Sequence, residues 1–141
     1  MAEPAAARAR LRIVSRMTSP DGDVQETKNA RVGTCLQDEN GIALEYDDVQ
    51  EGERAHIVLT AKDGRAEMRR KGMTNAVLTF VPGERRASRY VTVYGDIPVA
   101  VDTRSVTLSR REEGGTLMLD YDVYVAGEKT AATALTVEWR L

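Results

Sequence analysis

Turn-forming residues recur along this chain at short, regular intervals, and that spacing leaves room for little except strands. They fall at Ser19-Pro20-Asp21-Gly22, Asp38-Glu39-Asn40-Gly41, Glu51-Gly52, Lys62-Asp63-Gly64, Val81-Pro82-Gly83, Gly95-Asp96, Glu112-Glu113-Gly114-Gly115 and Gly127-Glu128-Lys129. Between them the segments mostly alternate apolar and polar residues, the period of a strand with one buried face. No window places apolar residues at i, i+3, i+4 and i+7 between capping residues, so almost no helix is predicted. The pattern describes an antiparallel meander.

Alternation also says which side chains turn inward. Leu11, Ile13 and Met17 share one face of the first strand, opposite Arg8, Arg10, Arg12 and Arg16. Leu117, Leu119, Tyr121, Val123 and Val125 share a face near the end of the chain, and Leu135, Val137 and Trp139 share the next. A sheet of about eight to ten such strands must cover its single apolar face, and curling into a barrel does so while removing the exposed edges. One stretch breaks phase: Ile97, Val99 and Val101 are odd-numbered, Val106 and Leu108 even-numbered. The inward register therefore shifts between Asp102 and Ser105, through a bulge or bend, or through a short loop between separate strands.

The length of 141 residues suits one domain, which buries roughly 68 to 70% of its unfolded surface. We place that domain at residues 8–141, after an N-terminal tail of residues 1–7 expected to be disordered. The 20 basic and 22 acidic residues nearly cancel, which argues against a DNA-binding protein held by a global positive field. One cysteine cannot form an internal disulfide, and no apolar leader or membrane-spanning run is visible, so the expected compartment is the cytoplasm.

Between Arg70 and Thr103 the chain reads R-x-G-x7-F-x2-G-x6-Y-x-T-x-Y-G-x7-T, formed by Arg70, Gly72, Phe80, Gly83, Tyr90, Thr92, Tyr94, Gly95 and Thr103. This pattern resembles the DUF1934 family of small bacterial proteins, the YwiB-like group, and the likeness extends from about Leu11 to Trp139. The resemblance implies a calycin-type, lipocalin-like β-barrel and no assigned activity. Barrels of that type often bind small apolar ligands inside, an analogy of architecture alone.

Parity gives that barrel one candidate site. Arg70 shares the inward face of its strand with Ala66 and Met68, and a guanidinium carried inward needs partners. Tyr90, Thr92 and Tyr94 share one side of another strand, and Tyr46 and Asp48 share a face with Ile42 and Leu44. Two readings stay open: Asp48 neutralises Arg70 in a structural network, or Arg70 and the hydroxyls hold a small anionic or amphipathic ligand.

Other conspicuous residues point nowhere. His56 lies opposite Ala55, Ile57 and Leu59, and Cys35 has no identifiable activating base. Asp47 and Asp48 point to opposite faces, Glu112 and Glu113 flank a turn, and Asp120 and Asp122 share an exterior face. No catalytic residue, metal or cofactor is therefore assigned. The expectation is a non-enzymatic binding module, monomeric or homodimeric. The rival is a scaffold with a filled barrel that meets RNA or a protein through exterior basic faces, including Arg69, Lys71, Arg85, Arg86 and Arg89.

Overall fold

A computed structural model describes residues 6–50 and 52–141, the Gln50 side chain excepted. Residues 1–5 of the expected tail lie outside the described residues, and Ala7 opens the first strand, opposite Cys35. Ten strands follow one another: β1 (Ala7–Thr18), β2 (Val24–Gln37), β3 (Gly41–Gln50), β4 (Glu53–Lys62), β5 (Arg65–Lys71), β6 (Ala76–Phe80), β7 (Arg85–Thr92), β8 (Gly95–Arg111), β9 (Gly114–Val125) and β10 (Glu128–Arg140). There is no helix among the described residues, and hence none long and apolar enough to cross a membrane.

The strands form one antiparallel sheet in the order β6-β5-β4-β3-β2-β1-β10-β9-β8-β7, so sequence neighbours pair and β1 meets β10. The sheet curls until β6 faces β7, where the single bridge Asn75↔Val91 joins the ends. The result is a nearly closed up-and-down barrel with no crossover. Its turns show why the punctuation was readable: Asp63 and Gly64 both adopt positive φ, 52° and 77°, the geometry of a two-residue hairpin whose twist matches the flanking strands.

The predicted phase change is a bulge. β8 runs unbroken, but its register against β9 shifts between Thr103 and Ser105, so Val99, Val101 and Thr103 turn inward before it and Val106 and Leu108 after it. Outside the bulge, the Arg104 guanidinium spans both carboxylates of one β9 face, 2.6 Å from Asp120 and 2.7 Å from Asp122.

The core fills the barrel's middle. Phe80, Leu44, Leu59, Leu117, Leu119, Val101 and Val137 are fully buried, each worth about 1.5 to 3 kcal/mol relative to exposure. The Phe80 and Tyr121 rings meet at 4.7 Å between centroids, a tilted pair. Met17 departs from the expectation: it lies on the inward face yet is 41% exposed. The β1–β2 ribbon runs past the core there, because β3 pairs with β2 only from Thr34 to Gln37. Ile97, also inward by parity, is 40% exposed beside the β7–β8 turn.

Candidate functional site

The inward rows of β3, β4 and β5 are in register. Tyr46 faces Ile57 and Ile57 faces Arg70, so Tyr46 and Arg70 stand on the same face two strands apart. Tyr90 faces in from β7, across the line where the barrel closes, packing half-buried against the core. Tyr121, on the far wall, completes the group.

Burial governs all three phenols. It pushes the Tyr46 hydroxyl up to about 12; the Asp48 charge adds to the shift, while Arg31 and Arg70 oppose it. Tyr90 is raised by burial against the field of Arg70. Tyr121 is raised by burial, with Tyr90 and Tyr46 adding to it. The three hydroxyls therefore stay neutral near pH 7 and can donate hydrogen bonds.

Asp48 does not neutralise Arg70. Its Oδ1 accepts a hydrogen bond from Arg31 Nη2 at 3.1 Å, with the two side chains 15% and 24% exposed. Arg31 faces inward because it opposes Leu11, and it bridges β2 to β3 where their ladder has ended. Among the described residues no carboxylate pairs with Arg70, which stays half-buried beside the tyrosines.

Thr92 and Tyr94 leave the expected cluster. Thr92 is half-buried, but its hydroxyl donates to the Gly95 carbonyl at 2.7 Å and accepts from the Tyr94 amide at 3.1 Å, which ties off the β7–β8 turn. Tyr94 is 98% exposed. β7 ends at Thr92, and strand parity has no meaning once the chain turns. Of the six residues expected to meet, Arg70, Tyr46, Tyr90 and Asp48 share the polar end of the barrel, with Asp48 engaged elsewhere.

Arg31 and Thr103 were not placed in this interior, and Tyr121, read as inward, was not joined to the polar cluster. Tyr121 was legible as inward but read as core, since its nearness to Tyr46 and Tyr90 depends on curvature across the barrel. Arg31 sits in a β2 stretch without an apolar face, so alternation could not orient it. Thr103 and Thr133 oppose Tyr121 from β8 and β10, and both hydroxyls are buried with no hydrogen-bond partner.

The wall nearest Arg70 is also the weakest. Beyond Asn75↔Val91, β6 and β7 are joined by the Ser88 hydroxyl, which donates to the Val77 carbonyl. A groove of about 600 Å3 lies along this seam, bordered by Arg70, Lys71, Val77, Ser88, Arg89 and Val91. Its apolar side chains are exposed, Val77 at 43% and Val91 at 44%. A second concavity, about 790 Å3, indents the outer face of β1, β2, β9 and β10, where Arg10, Arg12, Arg111 and Arg140 line it together with Glu112, Glu113 and Glu138.

The remaining candidates behave as surface or core. His56 is exposed, with Nδ1 2.9 Å from Asp47 Oδ1. Cys35 is buried, and burial raises its thiol pKa. No three metal-ligating side chains cluster among the described residues.

Comparison with known proteins gives a consistent match. The uncharacterized β-barrel protein YwiB of Bacillus subtilis is 20% identical over 126 residues, covering 89% of each chain. The crystal structure of the ywiB protein from Bacillus subtilis superposes with a TM-score of 0.85 at 18% identity, covering 96% of this chain and 92% of that one, a likeness of fold. The model of the family described as Domain of unknown function (DUF1934) matches residues 11–137, nearly the whole barrel, and the chain belongs to that family.

Proposed function

We propose that this barrel is a non-enzymatic binding module that takes a small amphipathic anion at the polar end of its interior, where the β6–β7 seam opens. The observation that carries the reading is Arg70: an inward, half-buried guanidinium that no carboxylate among the described residues neutralises. A buried cation without a counter-charge is costly, and an anionic ligand removes that cost. Tyr46 and Tyr90 supply neutral donors on the inward side of Arg70, and Val77 and Val91, which alternate to the outer face with Arg69 and Arg89, offer an apolar track along the outside of the seam. A carboxylate or phosphate head on Arg70 with an apolar tail in the seam fits this arrangement.

The test is titration with a dansyl-labelled long-chain carboxylate, followed by fluorescence, against wild type and Arg70→Met. One charge-assisted hydrogen-bond contact contributes about 1.5 to 3 kcal/mol, so the variant is expected to bind roughly tenfold to a hundredfold more weakly. Its thermal stability should be unchanged or slightly higher, since an unpaired charge has been removed. Equal binding by both proteins, or a loss of stability without a change in affinity, would sink the reading.

A second reading rests on the outer concavity. Arg10 lies directly opposite Arg140, and among the described residues neither has an ion-pair partner. Like charges placed face to face on a ladder destabilise it, and an RNA phosphate there relieves them. In that case salt-sensitive RNA binding survives Arg70→Met and is lost in Arg10→Gln.

A further inference from the structure

We propose that two copies of this chain associate by pairing their β2 edges into one continuous antiparallel sheet. The β1–β2 hairpin is paired along its whole length, from Thr18↔Val24 to Ala7↔Cys35, yet β3 pairs with β2 only at Thr34–Gln37. Arg31 is tied to Asp48, and its Nη1 also donates to the Ala30 carbonyl at 2.9 Å, which leaves Val24 to Asn29 with one side of the backbone unpaired among the described residues. A long unpaired edge is a template for another strand unless it is blunted.

The edge carries charge, but in a pattern that attracts its own copy. Thr27 lies within the free stretch, and a two-fold axis there sets Glu26 opposite the partner's Lys28 and Lys28 opposite the partner's Glu26. The same register sets Val24 opposite the partner's Ala30, Gln25 opposite the partner's Asn29, and Thr27 opposite its own counterpart. Opposite-charge and Thr–Thr pairs are favourable across a ladder. Centring on Lys28 instead would place two lysines face to face, and centring on Glu26 two glutamates. Glu26 and Lys28 are exposed, 3.4 Å apart within one chain, and Val24 is 52% exposed, so all are available to a partner.

Sedimentation velocity across a concentration series tests this on the full chain. Wild type should dimerise, while Lys28→Glu and Glu26→Lys should each dissociate at concentrations roughly tenfold higher or more, since two symmetry-related pairs turn repulsive. Mixing the two variants joins an all-acidic edge to an all-basic one and should restore dimers as heterodimers, an outcome that misfolded variants would not give. A monomeric wild type, a dimer indifferent to either reversal, or a mixture that stays monomeric would overturn the proposal.

Discussion

Gly115→Ala is expected to expose how tightly the barrel's one tryptophan is seated. Gly115 faces inward on β9, directly opposite Trp139 on β10, and the indole is 3% exposed. A Cβ on Gly115 would stand 2.5 Å from Trp139 Cζ2 and 2.6 Å from Cη2, and it would also press on the Ser109 carbonyl of β8. Contacts below 3.0 Å do not persist, so something must move. The indole can yield only by leaving its place beside Leu11, its neighbour on β1, and the carbonyl belongs to a paired strand.

Overpacking of a close-packed core typically costs about 1 to 3 kcal/mol, and two unyielding walls place this case near the upper end. For a domain of this size that lowers Tm by roughly 5 to 10 °C. Thermal unfolding measures the loss, and because Trp139 is the sole tryptophan, its emission reports displacement directly. Repeating Gly115→Ala in a Trp139→Leu background removes one wall, so the cost there should fall by about 1 kcal/mol or more. An equal cost in both backgrounds, or unchanged emission with a negligible shift in Tm, would refute the packing argument.

Two further outcomes follow from other residues. Thr103→Val removes a buried hydroxyl that has no partner, so stability should hold or rise by up to about 1 kcal/mol in a denaturant melt; a clear loss would mean the hydroxyl is satisfied. Burial tends to raise the Asp122 carboxyl, but hydrogen bonds from Arg104 and the charges of Arg104 and Lys129 hold it below the usual carboxylate range. A depressed folded-state pKa contributes stability above the unfolded value of about 3.9 that is lost as pH falls through the folded one. Arg104→Met should therefore lower Tm at neutral pH and converge with wild type in strong acid, whereas a constant difference across pH would exclude the ion pairs as its cause.

How much of this was visible beforehand depended on the range of the interaction involved. The bulge near Arg104 showed as a phase slip because parity is a local property, and the inward turn of Tyr46 and Arg70 followed from their strands alone. Tyr94 misled for the same reason: alternation extrapolated one step beyond the strand's end places a turn residue inside. Arg31 escaped notice because the free stretch of β2 has no apolar face to orient it, and its tie to Asp48 joins residues 17 positions apart across a gap in the ladder.

By itself, the sequence determined a meander of about eight to ten strands with one apolar face, since turn chemistry and period-two alternation act between near neighbours in the chain. The tertiary structure alone decided where the wall is weak, which edge stays open and, among the described residues, that the inward-facing Arg70 is left without a counter-charge. Those features arise from how far β6 splays from β7 and β2 from β3 as the sheet closes. Closure sums the twist and curvature of all ten strands, and no single segment encodes it.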